Sequence, residues 1–234
     1  MPRSSECFIG KSEVLHLGGE FIYVRYFDVI NFIENDIYPY DIFLPLQLNA
    51  AAVKRKAEFI AGRVVACDAI CALEEKPVQL DIGGNREPIW PKGFVGSISH
   101  NDKCAVAVAK YREPVLLGVD VENWMSQEQS VDLSGIIAGR AEVSLLKSLS
   151  LSYSQGLTIL FSGKESLFKA IYPVSHRYFE FSDSKVVFWN EKYNYFVVEL
   201  SSSVLDILRR NLVFKIFYNC EPGQVFTLAI SIVD

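Results

Sequence analysis

The chain has 234 residues, half of them hydrophobic, with 28 acidic side chains against 23 basic ones and a net charge of −5. That apolar content suffices for one large domain or two smaller halves. The acidic balance excludes a nucleic-acid binder working through a broad basic face, so any phosphate site must be built from a few cations gathered locally.

The five cysteines, Cys7, Cys67, Cys71, Cys104 and Cys220, contain no C-x-x-C pair. They read as reduced thiols of a cytoplasmic protein. The opening "MPRSSECFIGKSEV" lacks the apolar stretch of a signal peptide. No uncharged apolar run approaches the ~20 residues of a membrane helix.

The first 50 residues carry short apolar runs such as "EFIYVRYF" and "YDIFLPLQL". Residues 49–73, "NAAAVKRKAEFIAGRVVACDAICAL", predict a helix: Ala57, Ile60, Val64 and Ile70 recur at helical spacing, and Asn49 is the expected N-cap. "DIGGNREPIWPKG", 81–93, is turn chemistry. "FVGSISH", 94–100, and "KCAVAVAKY", 103–111, predict a hairpin of two strands turning at "HND". "PVLLGVDVE", 114–122, predicts a third strand. Residues 126–160 are less marked, with helical stretches at "SLLKSL" and "QGLTILFS". "GKESLFKAIYP", 163–173, predicts a helix stopped by Pro173. The runs "KVVFW", "YFVVEL", "VFKIFYN" and "QVFTLAISIV" complete the chain as strands. A prominent helix with antiparallel strands thus occurs twice, which suggests a structural duplication.

The candidate chemistry starts in "GVDVE". Strand alternation sends Asp120 and Glu122 to one face, with Val121 on the other. Their Cα atoms would lie about 6.6 Å apart, two rises of roughly 3.3 Å. By spacing alone this is an acidic pair facing water. A hard divalent cation such as Mg²⁺ would relieve their repulsion, given a third oxygen ligand and a phosphate-bearing substrate. Glu165 in "FSGKESLFKA" offers that ligand, near the expected helix N-terminus where backbone N–H groups favour anions. Lys169 stands four residues on, which by itself marks an ordinary surface pair. "SGKES" is no Walker A loop, because Thr158 occupies the position of its first glycine. Arg55 and Arg63 lie eight residues apart on one helix, Arg86 sits in the Gly/Pro loop, and Ser99 and His100 end a strand. Converging, these cations would clamp a phosphate. Isolated, they would be solvated.

In this order, "VKRKAEFIAGR", "REPIWPKGFVGSISH", "LLGVDVE" and "FSGKESLFKAIYP" resemble the 4′-phosphopantetheinyl transferases of the surfactin/enterobactin-synthetase type, over about residues 49–175. Both hallmark patterns are complete: Gly118, Asp120 and Glu122, then Phe161, Lys164, Glu165, Ser166 and Lys169. The Phe at 161, where many members have Trp, points to the enterobactin-like branch.

The resemblance implies an α+β fold, a pseudo-twofold pair of similar halves with antiparallel sheets (1–115 and 116–234) and the active site at their interface. It implies transfer of the phosphopantetheine arm of coenzyme A to a serine of an apo carrier protein, dependent on Mg²⁺ and releasing 3′,5′-ADP. The metal ligands would be Asp120, Glu122 and Glu165, with Lys169 on the pyrophosphate; Glu165, placed where ligand and nucleophile would meet, is the expected proton acceptor, directly or through a metal-bound water. Arg55, Arg63, His100 and Ser99 would hold the 3′-phosphate, while Arg86, Glu87 and Pro88 line the adenine end. A cytoplasmic monomer serving non-ribosomal peptide, siderophore or polyketide synthesis is expected, with no nucleic-acid or membrane partner. The alternatives are a Mg²⁺-dependent phosphohydrolase or nucleotidyl transferase using the same acids, and a non-catalytic coenzyme A- or carrier-binding module.

Overall fold

The computed structural model describes residues 7–33, 42–74, 79–111 and 115–232. The first residues of "YDIFLPLQL" and the expected strand start at Pro114 lie outside these. Two compact units are present: Met1–His16 with Glu20–Arg112, and Leu17–Gly19 with Glu113–Asp234.

In the first unit, strands β1 (Glu13–Leu17) and β2 (Glu20–Tyr26) precede helix α1 (Val53–Glu74). A short hairpin, β3 (Asp81–Ile82) and β4 (Pro88–Ile89), leads to β5 (Phe94–His100) and β6 (Cys104–Tyr111). The sheet order is β1-β2-β6-β5. Helix α1 buries Ala57, Ile60, Ala61, Val64 and Ile70. It lies against β6, where the small residues Ala105 and Ala107 admit a close helix. Asn101 makes the β5–β6 turn: its Oδ1 accepts from the backbone N–H groups of Lys103 and Cys104. Asn49 is not the N-cap of α1. It closes a preceding 3-10 turn, Leu46–Leu48, by donating its N–H to Leu46 O.

The second unit begins with β7 (Leu117–Asn123), followed by α2 (Gln127–Ile137), α3 (Arg140–Leu146) and α4 (Tyr153–Ser175). Then come β8 (Ser184–Asn190), β9 (Tyr195–Leu200), α5 (Ser202–Leu208), β10 (Val213–Glu221) and β11 (Gln224–Ile232). The antiparallel sheet runs β7-β11-β10-β9-β8, with α4 across β7 and β11. Leu157, Leu160, Leu167 and Ile171 of α4 meet Phe196 and Phe214 in the core. Both units are therefore a long helix on an antiparallel sheet, the expected α+β architecture.

Helix α4 corrects the sequence reading twice. It starts at Tyr153, ten residues earlier than expected, on a capping box: Gln155 N donates to Ser152 Oγ while Gln155 Oε1 accepts from Ser152 N. The S-x-x-Q pattern at 152–155 signals this start. Nor does Pro173 stop the helix. Lacking an N–H, it forfeits one bond to the fourth residue back, and the helix continues to a left-handed C-cap at His176. Glu165 is therefore mid-helix, and the helix N-terminus contributes nothing to its site.

Gly118 is required by a close approach. A Cβ there would collide with the Ser166 carbonyl oxygen and stand 2.5 Å from Ala170 N, both backbone atoms of α4. Strand and helix touch main chain to main chain, two residues before Asp120.

Candidate active site

Alternation along β7 turns Gly118, Asp120 and Glu122 toward α4, while Val119 and Val121 are fully buried on the opposite face. Asp120 is only 2% exposed, and its carboxylate is held on both oxygens. Lys169 Nζ donates to Oδ1 at 2.6 Å, and Ser162 Oγ donates to Oδ2 at 2.7 Å. Ser162 Oγ also lies 2.9 Å from Thr227 Oγ1, on the β11 residue directly opposite Asp120. Ser162 has one hydroxyl proton, committed to the carboxylate, so Thr227 donates to Ser162.

Glu122 and Glu165 join this group electrostatically. Burial, then the Asp120 charge, push Glu122 up to about 7, with Glu165 adding to the rise and Lys169 opposing it. Burial and Asp120 raise Glu165 likewise, again against Lys169. Three acids on two elements therefore share one field, with Lys169 as the cation among them.

Magnesium takes one or two carboxylates together with substrate phosphates and water. The donor set has this chemistry, and the raised proton affinities of Glu122 and Glu165, due first to burial and then to the Asp120 charge, put the acids within one another's field. Among the described residues, however, no three His, Cys, Asp or Glu side chains are gathered as a ready metal cage. The acids fit the ion in kind, and the remaining ligands would have to come with the substrate.

In the first unit, Arg55 Nη1 lies 3.4 Å from His100 Nε2, bringing the start of α1 to the end of β5. Arg55 also faces Glu58 at 3.8 Å. Arg63 is 6% exposed and packs over the Phe59 ring. Its Nε donates to Leu80 O at 3.1 Å, and its Nη2 reaches Asp81 O at 3.5 Å. Burial, then the neighbouring Arg55 charge, hold Arg63 down to about 10, with Asp81 opposing. Ser99 is buried beside His100 on β5. Arg86 and Glu87 lie in the β3–β4 turn and Pro88 begins β4. Arg86 adopts φ 69° and is exposed, and Glu87 Oε2 accepts from Asn85 N.

Sequence reasoning missed Ser162, Thr227 and Glu142. Ser162 was detectable, since it stands seven residues before Lys169 and so on the same helix face. Thr227 and Glu142 had no local signal, for each acts across a long sequence separation. Lys169, read against Glu165, instead spends its shortest bond on Asp120.

A family model described as the 4′-phosphopantetheinyl transferase N-terminal domain matches residues 45–110, and one for the 4′-phosphopantetheinyl transferase superfamily matches 116–214. The chain belongs to the 4′-phosphopantetheinyl transferase superfamily: it is an enzyme that moves the phosphopantetheine arm of coenzyme A to a carrier protein. It is similar to enterobactin synthase component D of Escherichia coli O157:H7, with 34% identity over 92% of this chain and 95% of that protein. The Salmonella typhi protein of the same name is 37% identical over 67% of this chain and 64% of its own length. The 4′-phosphopantetheinyl transferase PptT of Mycobacterium tuberculosis is 32% identical over 59% of this chain and 60% of its own.

Proposed function

We propose that Asp120, Glu122 and Glu165, which are not gathered as a metal cage on their own, would together hold a magnesium ion once coenzyme A brings its pyrophosphate, and that Lys169 would supply positive charge to a pyrophosphate oxygen. The bound ion would act as Lewis acid and template for the diphosphate. Glu165 accepts the proton as the carrier serine oxygen bonds to the β-phosphorus. The phosphoanhydride bond breaks on the opposite side, and 3′,5′-ADP leaves with the bonding electrons. The raised proton affinity of Glu165 supports the base role.

Arg55, Arg63 and His100 take the 3′-phosphate with Ser99 beside them, and Arg86, Glu87 and Pro88 line the adenine. Residues 1–115 thus serve the nucleotide end of coenzyme A, and 116–234 serve the metal and the transfer. The contact of Arg55 with His100, and the field of Arg55 on Arg63, support that grouping. The carrier belongs to a siderophore-type peptide synthetase, a reading supported by the enterobactin synthase relatives. Five free thiols support work in the reducing cytoplasm.

The observation that carries the proposal is the field shared by Asp120, Glu122, Glu165 and Lys169. The test is to incubate enzyme, coenzyme A and Mg²⁺ with a panel of apo carriers and weigh each carrier. A gain of about 340 Da, the mass of the arm, on a siderophore-type carrier is expected. Transfer that persists undiminished in chelator would overturn the metal role. Full activity of Glu165→Gln would overturn the base role.

A further inference from the structure

Lys164 precedes the proposed base in the chain, yet its side chain goes elsewhere. It is 2% exposed, and its ammonium collects acceptors from three places. It donates to Ile137 O at the end of α2 (3.0 Å), to Glu142 Oε2 on α3 (2.9 Å), and to Phe181 O in the 3-10 turn Phe181–Asp183 (3.0 Å). Ser184 O, at the start of β8, lies 3.4 Å away. Three N–H groups are all an ammonium has. Glu142 extends the clamp, since its Oε2 accepts from Gly139 N and its Oε1 from Val186 N on β8.

Lys164, Phe181 and Ser184 of this knot line a cavity of about 720 Å³ that Glu165 also lines. Its wall is aromatic: Phe168 on α4, and Tyr178, Phe179 and Phe181 on the segment leading to β8. Phe168 stacks with Tyr178 at 5.4 Å and packs on Phe179 at 5.3 Å. The wall segment is secured to α4 at two levels, by these rings and by the ammonium beneath.

We propose that Lys164 is a positioning residue for the transfer step: through its ion pair with Glu142 it sets the Tyr178–Ser184 wall and Glu165 in one fixed relation. This rests on the assignment of Glu165 as base. Lys164 does not touch the reacting atoms. It fixes the neighbouring turn of α4, and small displacements of a reacting group are costly to rate.

The test compares Lys164→Met, which keeps the stem and removes the ammonium, with Lys164→Met/Glu142→Gln, which also removes the stranded buried charge while keeping an acceptor for Val186 N. Transfer to an apo carrier is measured where circular dichroism shows each protein folded, and coenzyme A affinity is measured by calorimetry. In both variants kcat is expected to fall roughly 10- to 100-fold with coenzyme A affinity little changed. Thermal stability should recover in the double variant while kcat does not. Wild-type kcat in folded Lys164→Met, or kcat returning in step with stability in the double variant, overturns the proposal. If Lys164→Met does not fold, Lys164→Gln replaces it: the neutral amide loses the ion pair to Glu142, so a folded Gln variant with wild-type kcat overturns the proposal equally. Glu165→Gln is run alongside. If it is active, the base assignment has failed and the proposal with it. If it is inactive while the Lys164 variants are unimpaired, only the positioning role has failed.

Discussion

Gly118→Ala tests how the site is assembled. The substitution adds one methyl group at a point where strand β7 and helix α4 meet backbone to backbone. Ordinary contact begins at 3.4 Å, so the Ser166 carbonyl oxygen and the Ala170 nitrogen, at 2.5 Å, must both retreat. Neither is the tip of a flexible side chain. Overpacking usually costs about 1–3 kcal/mol, and rigid backbone on both sides puts this case at or above the upper figure. A loss of about 3 kcal/mol corresponds to a Tm drop of roughly 6–12 °C for a chain of this size. The same displacement carries Asp120 away from Ser162 and Lys169, now 2.7 and 2.6 Å distant. A misplacement on the order of 1 Å reduces kcat about 100-fold. The assay pairs a thermal melt with carrier loading at a temperature where the variant is folded. If Gly118→Ala melts with the wild type and loads carrier at the wild-type rate, the close approach does not govern the site and the argument fails.

Ser162→Ala removes the hydroxyl that donates to Asp120 Oδ2. A hydrogen bond to a charged group contributes about 1.5–3 kcal/mol, so Tm should fall by roughly 3–12 °C. Combined with Asp120→Asn the two losses should be less than additive in a double-mutant cycle, and strict additivity would disprove the coupling. Glu122 holds its proton more tightly folded than unfolded, up to about 7 against an ordinary 4.5. Its favourable contribution is therefore complete below about 4.5 and is lost as pH rises through about 7. Melts in chelator should show Glu122→Gln gaining on the wild type between pH 5 and pH 8. A pH-independent difference would contradict the burial and neighbouring charges that raise Glu122. Arg63→Ala should raise KM for coenzyme A about 10- to 100-fold and change KM for 3′-dephospho-coenzyme A far less. Equal effects would remove Arg63 from the 3′-phosphate.

Local sequence determined most of the elements and the residue types of the site. Alternation in "GVDVE" set Asp120 and Glu122 on one face because a strand has a period of two whatever surrounds it. Apolar residues at helical spacing (Ala57, Ile60, Val64 and Ile70) identified α1 for the same reason, since periodicity is a property of the segment alone. The family patterns carried the chemistry, being short and contiguous. What stayed illegible depended on partners distant in the chain. Asn49 has the chemistry of an N-cap, but the chain bends there first, and Asn49 closes the 3-10 turn instead. Pro173 breaks many helices, yet here packing of α4 on the sheet outweighs one missing hydrogen bond. Lys169 has Glu165 one turn away, but the buried Asp120 carboxylate on strand β7 is the stronger attractor. Lys164 and Glu142 lie 22 residues apart and meet only because α3 folds back beside α4. Residue type and spacing are inherited directly from the chain, so they can be read from it. Which charges face one another, which are buried and which backbones touch are settled only when separate elements pack, because burial is what turns a weak pairing in water into one that decides a side chain's place.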